Sequence, residues 1–362
     1  MREITEQDLE LLATGAWILG AGGGGDPYHA LLAMKRLYSS GITTSLMDPD
    51  DLADDARIAV VSTMGAPLVG EERLTDPRVA ARAVQMMEEY VGHGFDAVMS
   101  LEIGGSNSIQ PFMVAALTGL PVLDADTMGR AYPEAQMSSF AIGDLRPYPL
   151  TLADPRGVET VVSKVPTWKW MERVSRKICT EVGSTAATCK APRTGREVKE
   201  WGILRTVSQA IGIGRAVHEA RQSKENPVQA VVDCEDGRIL FEGKIVEVNR
   251  RTTEGFLRGS LELEGLEADK GHKMKLDFQN EFSIGWIDEE PRVMVPDIIT
   301  VLDSTTGEAI GTEAIRYGQR IQILVLRAPE IQTTPKGLEH VGPRAFGYDL
   351  DFESVFAEGQ ET

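Results

Sequence analysis

Three carboxylates follow short apolar segments at positions where strands are expected to end. Glu102 comes after the segment 97–101, and Asp124 and Asp126 come after 120–123. Carboxylates at strand ends serve as general bases, hold divalent metals or bind the N–H groups of a polar ligand. A single acid at such a position more often caps the next helix. Because three acids occur together, we predict that Glu102, Asp124 and Asp126 are catalytic, either as a base or as ligands of a divalent metal ion.

A glycine-rich run occupies residues 20–27, with the sequence GAGGGGDP. Asp26 is the expected N-cap and Pro27 the expected first residue of the helix that follows. Glycines let main-chain amides approach a ligand, and the free N–H groups of a helix N-terminus attract anions or polarised carbonyl groups. The alternative is a tight turn that holds no ligand. We predict that the substrate is bound by Gly22, Gly23, Gly24, Gly25 and Asp26.

The segments that follow Glu102 and Asp126 supply further candidates for binding the substrate. Arg130 lies in 128–136, and a guanidinium group binds a carboxylate through two parallel hydrogen bonds. Arg130 is also spaced to pair with Glu134, four residues later. The predicted substrate-binding residues in these two segments are Gly104, Gly105, Asn107, Met128, Arg130 and Glu134.

The length, net charge and cysteine content of the chain limit the classes of protein to which it can belong. The chain has 362 residues, enough for two domains, and its formal net charge of -18 argues against nucleic acid and anionic membranes as partners. There is no apolar run of about 18 residues, and the three cysteines are sparse and odd in number, so we expect a cytoplasmic protein. Cys179 and Cys189 are candidate nucleophiles, although a lone thiol is more often a small buried side chain.

Alternating apolar segments and helical patterns predict how these residues are positioned. We expect an α/β domain with a largely parallel sheet over residues 1–165 and a β-rich α+β domain over 166–357. Predicted strands of the first domain include 16–19, 43–47, 56–63 and 97–101, and predicted helices are 5–14, 27–38, 76–91 and 109–118. The strands predicted for the second domain are 228–232, 238–248, 255–263, 273–280, 292–302 and 319–326.

The polar and glycine-rich segments recur where a predicted strand ends, which is where open α/β sheets bind ligands. We therefore expect the stretches 20–26, 63–67, 102–107 and 124–136 to converge on one cleft. The glycine spacing also fits the dinucleotide fingerprint GxGxxG, but the strand expected before it is short and the match is weak. A nucleotide- or ligand-binding module without catalysis is thus an alternative.

Six motifs, in this order, give the chain a resemblance to a known family. They are GAGGGGDPY, LEIGGSNS, DADTMGRAYPEAQM, FQNE, VPDIITVLD and GPRAFGYD. Together they resemble the S-methyl-thiohydantoin desulfurase family, formerly a domain of unknown function, from about residue 8 to about residue 355. Family members are associated with hydantoinase and oxoprolinase genes. The resemblance implies an N-terminal α/β domain, a distinct C-terminal domain and a hydrolase that acts on a small cyclic amide or thioamide.

The implied reaction removes sulfur, as a thiol, from C2 of a five-membered thiohydantoin-like ring. Water would be activated by Glu102 or by a metal held by Asp124 and Asp126, the glycine-loop amides would bind developing charge, and Arg130 would bind a substrate carboxylate. Hydrolysis of another cyclic amide or imide, such as hydantoin or oxoproline, and a role as an accessory subunit are alternatives. We expect a homo-oligomer, with a hydantoinase-type subunit as a candidate partner.

Overall fold

The structure is a computed structural model that describes residues 1–65, 69, 72, 76–253 and 256–357. Ala66 and Pro67, which end the predicted turn at 63–67, lie outside the described residues, as does Gly255 at the predicted start of strand 255–263. Two separate sheet systems with flanking helices confirm the predicted α/β fold class.

The first sheet has eight strands in the order β1-β2-β5-β4-β3-β9-β7-β8. The pairs β2–β5, β5–β4 and β4–β3 are parallel, and the remaining pairs are antiparallel. The central strands are almost continuously apolar, as expected for strands buried on both faces. The strands are β1 (Arg2–Ile4), β2 (Thr44–Met47), β3 (Arg57–Gly65), β4 (Ala97–Ser100), β5 (Val122–Leu123), β7 (Leu150–Ala153), β8 (Glu159–Val162) and β9 (Thr185–Thr194).

A separate short pair, β6 (Ala125–Asp126) with β10 (Ile203–Leu204), lies beside this sheet. The helices in the described residues are α1 (Glu6–Leu19), α2 (Tyr28–Ser39), α3 (Pro77–Val91), α4 (Gln110–Thr118), α5 (Ser139–Ile142), α6 (Trp168–Glu181), α7 (Gly195–Trp201), α8 (Thr206–Ser223), α9 (Pro227–Glu235), α10 (Glu330–Thr333) and α11 (Pro335–Val341). None of them combines the length and apolar composition that crossing a bilayer requires.

The second sheet has seven antiparallel strands in the order β15-β14-β13-β12-β11-β17-β16. Its own apolar cluster includes Phe241, Leu261, Phe282 and Ile323. The strands are β11 (Arg238–Thr253), β12 (Phe256–Gly265), β13 (Lys273–Gln279), β14 (Glu281–Ile287), β15 (Glu290–Met294), β16 (Ile298–Asp303) and β17 (Arg320–Leu326). The domain division near residue 165 stays a prediction, and β9, which follows that point, pairs with β3 and β7 in the first sheet.

The predicted strand at 16–19 is wrong, because α1 continues through Leu19. Gly15 does not end the helix. A Cβ atom at Gly15 would lie 1.8 Å from the carbonyl oxygen of Ala210, and one at Gly214 would lie 1.9 Å from that of Leu11. These two glycines allow α1 and α8 to pack in close contact, so the glycine reflects helix packing, and the apolar residues after it belong to a buried helix.

The predicted strand at 228–232 is also wrong, because these residues lie in α9. The side chain of Asn226 accepts hydrogen bonds from the amides of Val228 and Gln229, and Pro227 occupies the first turn. This N-terminal signature outweighs the strand propensity of the valines. Val228 and Val231 are buried against the core of the first sheet system.

Candidate active site

A cleft of about 340 Å³ lies where the two sheet systems meet. This volume is in the range of small-ligand sites. All four stretches predicted to converge contribute to it, together with residues from α6, β9 and the turn before β14. The residues that line the cleft include Gly24, Gly25, Asp26, Thr63, Glu102, Asn107, Met128, Tyr132, Glu134, Glu172, Arg176, Lys190, Asn280, Glu281 and Glu313.

The first part of the glycine loop is packed against the second sheet. A Cβ atom at Gly22 would lie 2.5 Å from the ring of Phe282, and one at Gly23 would lie 2.0 Å from Oε1 of Glu281. The carbonyl oxygen of Gly22 accepts a hydrogen bond from the amide of Thr312 (2.9 Å). Gly22 and Gly23, both predicted to bind substrate, therefore hold the loop against β14 and do not line the cleft.

The second part of the loop faces the cleft. Gly24 and Gly25 have φ values of +76° and +78°, and their carbonyl oxygens accept hydrogen bonds from the amide of Ser106. Their own amides have no acceptor in the part of the chain that the structure describes. Asp26 lies at the cleft mouth, where its Oδ1 accepts a hydrogen bond from the amide of Tyr28 (2.8 Å). The cleft is thus lined by two residues whose amides have no acceptor among the described residues, a feature that anion sites share.

Glu102 is 8% exposed and lines the cleft just after β4. Its Oε2 accepts a hydrogen bond from the amide of Tyr132 (3.1 Å), and its Oε1 accepts one from Nδ2 of Asn107. Oδ1 of Asn107 in turn accepts a hydrogen bond from the amide of Thr63 (2.7 Å) at the end of β3. Burial raises the pKa of Glu102 to about 7, although these two hydrogen bonds act to lower it. A carboxyl group with such a pKa is suited to accepting a proton at neutral pH.

Asp124 and Asp126 do not line the cleft with Glu102. Asp124 accepts hydrogen bonds from the amides of Val207 and Ser208, so it caps α8. Oδ2 of Asp126 accepts hydrogen bonds from the amides of Ile103 (2.8 Å), Met128 (3.2 Å) and Gly129 (2.8 Å). Asp126 therefore joins the backbone after β4 to the loop that holds Tyr132.

These three acids do not fit the metal site that they were predicted to form. Within residues 1–65, 69, 72, 76–253 and 256–357, no group of three His, Cys, Asp or Glu side chains is arranged to hold a metal ion. Oδ1 of Asp124 and Oδ2 of Asp126 accept hydrogen bonds from nearby backbone amides. The function proposed below therefore uses no metal, and the metal stays a prediction that elemental analysis of the protein would test.

Arg130 lies away from the cleft, in contrast to its predicted role in binding substrate. It is fully buried, and its guanidinium group donates hydrogen bonds to the carbonyl oxygens of Ala131, Phe282 and Asp297. It thus joins the loop after Asp126 to the second sheet. Among the other predicted residues, Asn107, Met128 and Glu134 line the cleft, whereas Gly104 and Gly105 pack beneath the glycine loop.

Neither candidate nucleophilic cysteine lines the cleft. Cys179 is buried, and its Sγ donates to the carbonyl oxygen of Met64. Burial raises the pKa of Cys189 to about 12, which disfavours the thiolate that a nucleophile requires.

Sequence patterns did not identify the cations of the cleft, Arg176 on α6 and Lys190 on β9. Arg176 donates hydrogen bonds to Oε1 of Glu172 (2.5 Å) and to the carbonyl oxygen of Pro133 (3.0 Å). Its Nη1, like Nζ of Lys190, has no acceptor among the described residues. Burial lowers the pKa of Lys190, which is 4% exposed. The run of small residues along 185–191 was the available signal for a buried strand at this position.

The raised pKa of Glu102 predicts a pH dependence of stability. Because its pKa is about 7 in the folded protein and near 4.5 in the unfolded chain, the folded state binds the proton more tightly. The stabilisation is complete below the unfolded pKa and is lost as the pH rises through about 7. We compare the free energy of unfolding of wild type with that of Glu102→Gln. The excess of the wild-type value over the variant value is expected to fall by about 3 kcal/mol between about pH 4 and about pH 8.

Urea unfolding of both proteins across this pH range would measure the difference. Asp126, whose pKa burial also raises to about 7, is present in both proteins, so the part of its titration that does not depend on Glu102 cancels. A difference that stays constant with pH would contradict the raised pKa of Glu102.

The comparisons with known proteins cover nearly the whole chain. A model described as the S-Me-THD-like, N-terminal domain matches residues 7–164, and one described as the S-Me-THD-like, C-terminal domain matches residues 166–355. A crystal structure of a protein from Chromobacterium violaceum has a TM-score of 0.82 at 22% identity, covering 98% of this chain and 100% of that chain. At this identity, the likeness shows the fold alone. A search of curated proteins gave no match.

Proposed function

Because the chain belongs to the S-Me-THD-like family, we propose that it is a hydrolase that releases a thiol from C2 of an S-substituted thiohydantoin-like ring. One observation carries the proposal. Glu102, whose carboxyl pKa is raised to about 7, lines the same cleft as Gly24 and Gly25, whose amides have no acceptor among the described residues. A base for water and donors for developing negative charge are the two requirements of this hydrolysis.

Glu102 is the general base in this proposal. It takes a proton from a water molecule as the water oxygen bonds to C2, and the electron pair of the C2–N double bond moves to the ring nitrogen. The Gly24 and Gly25 amides donate hydrogen bonds to this electron-rich side of the ring. Breakage of the C2–S bond then yields the hydantoin and a thiol. Asn107 and the amide of Tyr132 hold the Glu102 carboxylate in place.

Lys190 and Arg176 take the role that Arg130 was predicted to have. Both line the cleft, and both have N–H groups without an acceptor in the described residues. A ring substituent that carries a carboxylate would pair with these cations, and a guanidinium group binds such a group with defined geometry. We therefore infer that the preferred substrates are acidic.

An assay of thiol release by the purified full chain tests the proposal. The substrates are an S-methyl-thiohydantoin with a carboxylate-bearing substituent, its methyl ester, hydantoin and oxoproline. We expect thiol release from the first two, with a lower KM for the acid than for the ester. This preference should weaken as salt is added.

Three results would contradict the proposal. Equal KM values for acid and ester would remove Lys190 and Arg176 from substrate binding. Hydrolysis of hydantoin or oxoproline without thiol release would favour a different cyclic amide hydrolase. Strong thermal stabilisation by a nucleotide, without turnover of any ring, would favour a binding module.

A further inference from the structure

A second carboxyl group, that of Glu281, enters the cleft from the opposite sheet. Glu281 is the first residue of β14 and follows Asn280, whose φ of +58° makes the turn from β13. Three hydrogen bonds of Asn280 hold this turn in place. The amide and Oδ1 of Asn280 pair with the backbone of Leu257, and its carbonyl oxygen accepts a hydrogen bond from Oγ1 of Thr312 (2.6 Å). The backbone thereby directs Glu281 into the cleft.

The Glu281 carboxyl group is buried beside the glycine loop. It is 3% exposed, and its Oε1 lies 2.0 Å from the position that a Cβ atom of Gly23 would occupy. Its Oε2 has no hydrogen-bond partner among the described residues. A buried carboxyl oxygen without a hydrogen-bond partner is costly to ionise, which favours the protonated form of Glu281.

The charged groups that act on Glu281 come from several elements. They are Glu102 after β4, Arg130 in the loop after β6 and Arg176 on α6. Glu134, Lys190 and Glu313 line the same cleft. Burial raises the pKa of Glu281 well above its ordinary value, and the negative charge of Glu102 raises it further. The positive charges of Arg130 and Arg176 act to lower it. Two carboxyl groups in one cleft, one held protonated while the other can ionise, form an acid–base pair.

We propose that Glu281 is the general acid of the reaction and donates its proton to the departing sulfur. The inference rests on the proposed function and on three structural observations. The side chain is buried, it lines the same cleft as Glu102, and one of its carboxyl oxygens has no hydrogen-bond partner among the described residues. Nothing in the motif analysis assigned it this role, because FQNE alone does not show which of its polar residues faces the cleft.

The proton transfers balance. Glu102 takes one proton from water as the C2–O bond forms and the electron pair moves to the ring nitrogen. The pair returns to re-form the C2–N double bond as the C2–S bond breaks, and the sulfur takes the proton of Glu281. The Glu102 proton then moves to the ring nitrogen, and the C2 hydroxyl returns a proton to Glu281. One water is consumed, one hydantoin and one thiol are produced, and both carboxyl groups regain their starting states.

Comparing two leaving groups tests this assignment. The substrates share one ring and carry either an S-methyl or an S-(4-nitrophenyl) group, whose thiol is far more acidic and leaves without protonation. For Glu281→Gln we expect kcat with the S-methyl substrate to fall about 10²–10³-fold, in the range of general acid catalysis. With the S-(4-nitrophenyl) substrate we expect little change.

Controls separate a chemical role from a structural one. Glu262→Gln makes the same change at an exposed position of β12 and should behave as wild type with both substrates. Gly23→Ala keeps the carboxyl group but displaces it through the close Cβ contact, and should show the same dependence on the leaving group. This second variant also covers the case in which Glu281→Gln does not fold.

Two outcomes overturn the assignment and are distinguishable. If wild type releases thiol from both substrates but Glu281→Gln loses activity equally with each, Glu281 is not the general acid, while the proposed function stands. If wild type releases no thiol from either substrate, the proposed function fails and the assignment fails with it.

Discussion

Replacing Glu102 with glutamine is expected to lower kcat for thiol release by about 10²–10⁴-fold, the usual contribution of a general base. The amide cannot take a proton from water. It can still accept a hydrogen bond from either Asn107 or the Tyr132 amide, but not from both. Substrate binding should therefore change much less than kcat, so that KM stays within a few-fold of wild type. Steady-state kinetics, with near-UV circular dichroism to check the fold, would measure both.

Asp124→Asn is the matched control, because Asp124 also follows a strand but caps α8 outside the cleft. It should lose stability and keep a kcat near the wild-type value. If the two variants lose kcat to the same extent, or if Glu102→Gln keeps full activity, Glu102 is not the base.

Substituting alanine for Gly24 is expected to destabilise the protein by about 3 kcal/mol or more and to abolish most activity. Gly24 has a φ of +76°, and its Cβ atom would lie 2.4 Å from the carbonyl oxygen of Gly104. A positive φ costs about 1 kcal/mol for a residue with a side chain, and the backbone collision adds to that. Relief of the collision must move either the Gly24 amide or the segment that carries Glu102. Urea unfolding and kcat/KM would measure the two effects.

Gly41→Ala measures the cost of a positive φ alone, without a steric collision. Gly41 has a φ of +87°, and nothing lies within 4 Å of the position of its Cβ atom. This variant should lose only about 1 kcal/mol and keep full activity. Equal destabilisation by the two substitutions would show that the contact between Gly24 and Gly104 contributes nothing.

Local patterns in the sequence were sufficient to predict much of the first sheet system. The apolar segments before Glu102 and Asp124 do form strands, and the glycine run does precede a helix that begins at Tyr28. The prediction that Asn107, Glu134 and Gly25 lie near Glu102 followed from the topology of strand ends. These features depend on residues close in sequence, where periodicity and capping signals are strong.

The features that could not be predicted from the sequence depend on packing between segments that are distant in the chain. Arg130 looked like a substrate ligand, but three carbonyl oxygens, two of them in the second sheet system, occupy its guanidinium group. Lys190 and Glu281 carry no local signature, because each becomes part of the site only through the docking of distant elements. Gly15 and Gly214 show the same limitation, since a glycine that ends a helix and one that allows two helices to touch are alike in sequence.

The contact of Thr312 with the glycine loop has a consequence for synthesis of the protein. Its amide donates a hydrogen bond to the carbonyl oxygen of Gly22 (2.9 Å) across 290 residues of chain. During translation, the loop and Glu102 emerge long before the segment that holds them, and closing so large a loop is entropically unfavourable until that segment arrives. The glycine loop therefore reaches its folded contacts only after residue 312 has been synthesised.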